Sequence, residues 1–309
     1  MKTRFGWALA SAMLAGSVGT AFAADMPVKA PPPPVAPVMT WTGFYVGLNA
    51  GGAWDNNHSV DTFGQPVSGF TDGIGPGSFA ATSAAAASGS TSFGNDGRFI
   101  GGAQIGYNWQ FGRAVAGFEA DIDGLARRTE TSTLNNTVGP FNFAGNGEVI
   151  NSTITNTRTT LNYLGTVRGR LGFLATPSFL LYATGGGAYG EGRASSSIVQ
   201  TNNDCVLHPG NCITPNSAPF FSSSSSTRFG WTAGVGGEWM FAPNWSAKAE
   251  YLYYDLGSLT YNAALSTAGL SFQAGGAAVV NVQSTAKFNG SIARVGVNYH
   301  FGGPVVARY

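Results

Sequence analysis

The feature that most constrains the fold is a two-residue alternation near the end of the chain. Residues 290–301 read GSIARVGVNYHF, so Val295 and Val297 alternate with Arg294 and Asn298. Successive side chains on a strand point to opposite faces, so this period predicts a β-strand. In water the apolar face would be buried. In lipid the apolar face would point outward and the arginine would lie inside.

Seven earlier segments share this alternation, which predicts eight strands of about the 9–11 residues that cross a bilayer when tilted. Glycines leave the facing of the fifth segment undefined. Short turns and long Ser/Thr/Asn/Gly/Ala-rich loops alternate between the strands, as is typical of a barrel with short periplasmic turns and long extracellular loops. The seven segments are 44–54, 99–111, 115–123, 161–173, 179–190, 229–241 and 245–255, and the predicted loops are 55–96, 128–158, 191–227 and 256–286.

Composition narrows the class of protein further. Charged residues form 10% of the chain, against about 25% in ordinary soluble domains. The formal net charge is +1, so the chain lacks the excess of positive charge that is typical of nucleic-acid-binding proteins. The mean hydropathy of +0.04 is low for a helical membrane protein. Only helices and closed barrels satisfy every backbone group in lipid. We therefore expect an all-β fold, an eight-stranded antiparallel up-and-down transmembrane barrel.

Aromatic residues collect at the strand ends, as expected where rings sit at both membrane interfaces. If the first strand runs upward from the periplasm, two belts are predicted. The lower belt comprises Trp41, Phe44, Tyr107, Trp109, Phe173, Phe179, Trp239, Phe241, Trp245, Tyr299 and Phe301. The upper belt comprises Trp54, Phe99, Tyr163, Tyr189, Phe229, Trp231, Tyr251, Tyr253 and Phe288.

Charges within the strands fall almost entirely on the face predicted to point inward. Five acids and four bases nearly cancel, so we expect them to pair in the barrel interior. Eight strands enclose little more room than side chains fill. A packed polar plug and a thin water-filled path past the inward glycines both remain open at this point. The predicted network comprises Glu119, Asp121, Asp123, Arg168, Arg170, Glu238, Lys248, Glu250 and Arg294.

The first 23 residues have the pattern of a secretory signal peptide. A positive start precedes an apolar run, and Ala21-Phe22-Ala23 fits the cleavage rule, so we expect cleavage after Ala23. An uncleaved membrane anchor is the alternative. Four consecutive prolines make residues 24–40 an extended periplasmic spacer. The predicted barrel domain spans residues 41–309.

Two cysteines, Cys205 and Cys212, flank a turn-forming stretch in CVLHPGNC. In an exported protein a close, even pair favours a disulfide. The alternative is a metal site with His208, but two cysteines and one histidine lack a fourth ligand. We therefore expect no metal and no cofactor.

Catalysis has weak support in the sequence. A lipid-modifying enzyme would need a histidine beside a nucleophile, and the candidates are His58 with Ser59 and Asp61. The glycine-rich stretches 101–106 and 234–238 precede no predicted helix, so they do not fit phosphate-binding loops. We expect no enzymatic activity.

The chain resembles the alphaproteobacterial RopB-like, outer membrane immunogenic protein family, whose membrane part is similar to the barrel of OmpA. The matching pieces include WTGFYVGLNAGGAW, FIGGAQIGYNWQF, LGTVRGRLGF and ARVGVNYHF, in order across all eight strands. The resemblance implies a Gram-negative outer membrane and a surface-exposed, antigenic protein. It also implies an assembly signal in the last strand, at Val297, Tyr299 and Phe301. GGPVVARY follows Phe301, so either the assembly machinery recognises the strand internally or Tyr309 serves as the terminal aromatic.

These observations favour a non-enzymatic role in envelope integrity and surface display. A narrow porin-like channel, a lipid-modifying enzyme and a loop-borne adhesin are the alternatives. The expected partners are outer-membrane lipid or lipopolysaccharide and the barrel-assembly machinery, with no nucleic acid. We expect a monomer, with a weak oligomer as the alternative.

Overall fold

A computed structural model describes residues 40–56, 59–68, 78–94, 97–126, 130–142, 148–203, 217–266 and 279–301. In these ranges the chain forms eleven antiparallel strands and one short helix, α1 (Ser78–Ala86). The strands are β1 (Gly43–Asp55), β2 (Ser59–Ser68), β3 (Gly89–Ser92), β4 (Arg98–Phe111), β5 (Ala114–Leu125), β6 (Glu130–Asn142), β7 (Glu148–Thr176), β8 (Phe179–Asn203), β9 (Ser217–Ala242), β10 (Trp245–Ser266) and β11 (Val279–His300).

The sheet closes on itself. Its order is β1, β4, β5, β7, β8, β9, β10 and β11, and β11 pairs back with β1, where Tyr45 lies opposite His300. Closure leaves no open edge among these eight strands, so the fold is barrel-like. We call the end that holds the short β4–β5, β7–β8 and β9–β10 turns the turn end, and the opposite end the loop end.

The prediction of eight strands differs from this structure, because segments predicted as loops form strands too. β2, β3 and β6 lie inside the predicted loops, and β7 to β11 each run for 22 to 29 residues. Threonine has a high strand propensity, and Thr153, Thr155 and Thr157 alternate inward along the β7 extension. Both faces of the β7 extension are largely polar, so its alternation does not appear as a hydrophobic pattern. The β10 and β11 extensions do alternate, with Leu259, Tyr261, Val280 and Val282 inward.

The extensions also form a ring at the loop end. β2 pairs with β11 and with β3, and β6 pairs with β7. Side chains connect β6 to β3 and to the residue before it. Ser132 Oγ donates to the carbonyl oxygen of Ser92 at 2.6 Å, and Asn136 Nδ2 donates to that of Ser88 at 2.9 Å. β2, β3 and β6 thus take the places that β1, β4 and β5 occupy nearer the turn end.

Side-chain facing is the reverse of that in a soluble protein. Val295 is 63% exposed and Leu48 is 70% exposed, while Arg294 on the same strand as Val295 is 2% exposed. The apolar side chains therefore form the outer surface of the barrel, as the alternation predicts for a chain surrounded by lipid.

Most predicted belt aromatics lie on this outer surface, and two do not. Trp41 is fully buried, and its indole nitrogen donates to the carbonyl oxygen of Pro177 at 3.1 Å, inside the turn end. It precedes β1, so strand alternation does not apply to it. Phe288 packs inside the barrel. It lies six residues before Arg294, an even spacing that puts both on the inner face.

Several predictions concern residues outside the described ranges. They are the signal peptide and its cleavage after Ala23, the spacer up to residue 39, the cysteine pair Cys205 and Cys212, and the segment after Phe301. His58 and His208 also lie outside. Within the described ranges, no helix has the length and apolar character needed to cross a membrane.

Candidate functional site

Arg168 occupies the centre of the barrel interior. It lies on β7, directly opposite Glu119 of β5. Its guanidinium donates to Glu119 at 2.6 Å, to Asp121 at 2.7 Å and to Glu250 of β10 at 2.8 Å. One arginine therefore links carboxylates from opposite walls of the barrel.

Arg294 of β11 makes a second cluster beside the first. It donates to Asp123 at 2.5 Å, to Asp121 at 2.9 Å and to Glu250 at 2.8 Å. Asp121 and Glu250 are thus shared with Arg168. The alternating segment 290–301 of β11 is therefore linked to both β5 and β10 through Arg294.

A third group lies closer to the turn end. Arg170 donates to Glu238 at 2.7 Å, and Lys248 donates to the two oxygens of Glu119 at 2.9 and 3.0 Å. Glu238 also accepts from Asn298 at 2.7 Å. Charge-assisted hydrogen bonds of this kind are the stronger ones in proteins.

The structure brings all nine predicted interior charges into one connected network. Every member is at most 5% exposed. Removing one partner from such a network leaves a buried charge unpaired, which lowers the free energy of unfolding by about 3–5 kcal/mol. The members are Glu119, Asp121, Asp123, Arg168, Arg170, Glu238, Lys248, Glu250 and Arg294.

Two tyrosines complete the network, and the sequence analysis did not assign them to it. Tyr45 Oη donates to Glu119 at 2.7 Å and accepts from Arg170 at 3.0 Å. The Arg170 guanidinium also lies 3.9 Å from the ring centroid of Tyr182. Tyr45 lies on the inward side of the alternation. Each ring lies over a glycine directly opposite on the next strand, Gly106 for Tyr45 and Gly236 for Tyr182.

Apolar layers close the lumen on both sides of the charges. At the turn end, a cluster of Trp41, Val115, Leu174, Leu180, Tyr182 and Met240 fills the interior. Toward the loop end, a larger cluster includes Ile100, Leu161, Leu164, Leu252, Leu256, Phe288 and Ile292. Period-two alternation extended from Glu250 to Leu252 and from Arg294 to Ile292 would have identified this second layer.

Helix α1 forms a further layer inside the loop-end ring. Its alanines pack with Ile198, Val280 and Val282. Asn151 Nδ2 donates to Thr82 Oγ1 at 2.8 Å, and Gln200 Nε2 donates to the carbonyl oxygen of Ser83 at 3.1 Å. The lumen is therefore occupied from one end to the other by packed side chains and this helix.

The described histidine, His300, does not form a nucleophilic site. Ser246 Oγ donates its one proton to Glu238 at 2.5 Å, so its oxygen accepts from His300 Nε2 at 2.9 Å. A serine nucleophile needs the opposite arrangement, with histidine accepting the serine proton. All three side chains are buried. Among the residues that the structure describes, no group of three or more His, Cys, Asp or Glu side chains is arranged to hold a metal ion.

Comparison with known proteins gives matches over most of the chain. The family model of the outer membrane protein beta-barrel domain matches residues 10–301. The 31 kDa outer-membrane immunogenic protein of Brucella melitensis biotype 1 is 33% identical over 294 residues, which cover 91% of this chain and 94% of that protein. The 22 kDa outer membrane protein of Rhizobium leguminosarum bv. viciae is 26% identical over 74% of this chain and 71% of its own length. Among solved structures, OprG of Pseudomonas aeruginosa has a TM-score of 0.40 at 10% identity, covering 86% of this chain and 100% of OprG.

Proposed function

The chain belongs to the outer membrane protein beta-barrel family, and from that premise we propose that it is a closed, non-conducting barrel that stabilises the envelope and displays its loop end at the cell surface. The family match and the relatives place it in the outer membrane. The resemblance predicted from the sequence is confirmed by the same matches. The structural role, the non-enzymatic character and the surface display are the proposal.

We propose that eight strands span the membrane. The closed path of the sheet runs through β1, β4, β5 and β7 to β11, and these strands carry the exposed apolar side chains. β2, β3 and β6 lie outside that path and belong to the loop end. An eight-stranded barrel leaves an interior that side chains can fill, which agrees with the packed lumen.

The loop end is proposed to face outside the cell, because bacterial barrels keep short turns in the periplasm and long connections outside. The turn end has short connections, such as the one between β4 and β5 at Gly112. Surface display also agrees with the name of the Brucella relative, an immunogenic outer-membrane protein.

The filled lumen is the observation that carries the proposal. A conducting pore needs a continuous polar path, as in barrels with many more strands. Here an apolar layer on each side of the charge network and helix α1 lie across that path. Mobile ions would have to displace charges already paired with one another.

Planar-bilayer recording tests this proposal. We expect the purified, folded barrel to give no reproducible conductance steps, while a general porin inserted in the same bilayer gives them. Heat-dependent migration on a gel, which separates folded from unfolded barrels, shows that the recorded sample is folded. Steps of constant size in independent preparations would instead support the narrow channel.

Three features of the proposal stay predictions. Cleavage after Ala23 and a Cys205–Cys212 disulfide concern residues outside the described ranges. Val297, Tyr299 and Phe301 are described and exposed on the outer surface, but their recognition by the assembly machinery is untested. N-terminal sequencing of the mature protein and mass analysis with and without reductant check the first two.

A further inference from the structure

A groove on the outer face of the loop end has a composition unlike the rest of the barrel surface. It has a volume of about 660 Å³ and crosses strands β6 to β9. We call it the outer groove and define it by Asn156, Arg158, Ser195, Ser197, Phe221 and Ser223. These side chains alternate with buried ones such as Thr157 and Ser196, so they point away from the barrel interior.

Strand register arranges the outer groove in two rows. Asn156, Ser197 and Phe221 lie opposite one another on consecutive strands, and Arg158, Ser195 and Ser223 form the adjacent row. Neighbouring strands are about 4.8 Å apart. Each row is therefore about 10 Å long. The first row ends in the Phe221 ring, and the second begins with the Arg158 cation.

The groups in the outer groove are available to a ligand. Phe221 is 78% exposed. The Arg158 guanidinium makes no hydrogen bond or ion pair within the part of the chain that the structure describes. The side-chain oxygen Oδ1 of Asn156 accepts a hydrogen bond from Thr133 Oγ1 at 2.7 Å. The side-chain NH2 group of Asn156 therefore points its two donors away from Thr133. By contrast, nearby Arg193 is already paired with Glu191 at 2.9 Å.

The outer groove stands directly above the surface that meets lipid. On the same strands, Tyr163, Tyr189 and Phe229 form an outward ladder with successive ring centroids 6.4 Å apart, as is typical of the membrane interface. Arg158 precedes Tyr163 by five residues, about 17 Å along a strand. With a tilt of about 40°, that places it about 13 Å above the aromatic ladder, at the level of headgroup sugars rather than acyl chains.

We propose that the outer groove binds an acidic saccharide of the outer-leaflet glycolipid, lipopolysaccharide. Arg158 receives a phosphate or carboxylate, because its guanidinium matches such groups in bidentate geometry. The face of a sugar ring packs on Phe221, and the serines and Asn156 hydrogen-bond its hydroxyl groups. This inference rests on the proposed function, since it needs the loop end outside the cell.

Charge and position favour this occupant over a protein partner. The outer groove has one aromatic residue, one arginine and three serines, whereas the energetic centres of protein interfaces are enriched in clusters of Trp, Tyr and Arg. The groove also continues from the lipid-facing surface, so a membrane glycolipid reaches it without leaving its leaflet.

The test uses the full folded protein and delipidated, phosphorylated core oligosaccharide as the probe. We expect saturable binding in calorimetry. Arg158→Gln should weaken it at least about tenfold, as the loss of charge-assisted hydrogen bonds does. Phe221→Ser should weaken it by a similar factor, because it removes the apolar ring on which the sugar packs. The matched control is Arg113→Gln, an exposed arginine at the turn end, which should bind as the wild type does. Dephosphorylated oligosaccharide should bind the wild type as weakly as phosphorylated oligosaccharide binds Arg158→Gln.

Three results would overturn the inference. One is unchanged affinity in both groove variants, and another is the absence of binding to folded wild-type protein. The third is equal or tighter binding of inorganic phosphate or of an acidic peptide, independent of Phe221, which would indicate an unspecific anion site or a protein partner. Each can occur while the barrel stays folded and non-conducting, so failure here is separate from failure of the proposed function.

Discussion

Replacing Arg294 with leucine is expected to lower the free energy of unfolding by about 3–5 kcal/mol, the cost of breaking a buried ion pair. Arg294 donates to Asp121, Asp123 and Glu250, and its side chain has no exposure. Without it, these carboxylates share the remaining cations of the lumen. Urea unfolding of the refolded barrel, followed by heat-dependent gel migration, measures the loss.

The control for this prediction is Val297→Leu on the same strand. Val297 is 44% exposed on the lipid side, so its substitution should change stability by no more than about 0.5 kcal/mol. Adding Asp123→Asn to Arg294→Leu removes one stranded charge and should recover part of the loss, a non-additive result typical of directly paired residues. Equal folded yields for Arg294→Leu and Val297→Leu would contradict the inward network.

Replacing Gly186 with valine is expected to destabilise the barrel by about 3 kcal/mol, the upper end of the usual range for overpacking. Gly186 of β8 lies between Arg168 and Thr232, both buried, so its position faces the interior. A Cβ atom there would overlap the carbonyl oxygen of Val167 and lie 2.7 Å from the Cα of Arg168. The backbone beside the central arginine would have to move.

The adjacent residue provides the matched control. Gly187 lies between Val167 and Trp231, both exposed to lipid, and a Cβ there would have its nearest neighbour 4.0 Å away. Gly187→Val should therefore be neutral within about 0.5 kcal/mol. Urea midpoints compare the two variants directly. A loss for Gly186→Val as small as the one expected for Gly187→Val would contradict the tight packing beside Arg168.

Much of the barrel was predictable because lipid and lumen impose opposite polarity on alternate residues. The facing of Val295 and Arg294 follows from this alone. β6 was not predictable in the same way, since β6 and the β7 extension with which it pairs have serine, threonine and asparagine on both faces. Their strand state depends on pairing with neighbours, as in the register of β6 on β7.

The charge network was predictable in membership but not in pairing. Alternation identifies which charges face inward, and their near balance suggests that they pair. Which carboxylate meets which base depends on strand tilt and on the width of the lumen. Arg168 reaches Glu250, 82 residues away in sequence and on a non-adjacent strand. The apolar layers inside the barrel were also hard to predict. An inward leucine and a lipid-facing leucine differ in sequence only by their spacing from a neighbouring inward charge.

The length of β7 has a consequence for antibody access in the proposed orientation, with the loop end outside the cell. The strand begins at Glu148, fifteen residues before Tyr163 of the aromatic ladder, which is about 50 Å along a strand and about 38 Å in height at a tilt of about 40°. In that orientation the residues at the start of β7 stand well above the aromatic ladder, so antibodies would reach them before the barrel wall near the membrane. Antibody selection would therefore act first on these upper strand residues.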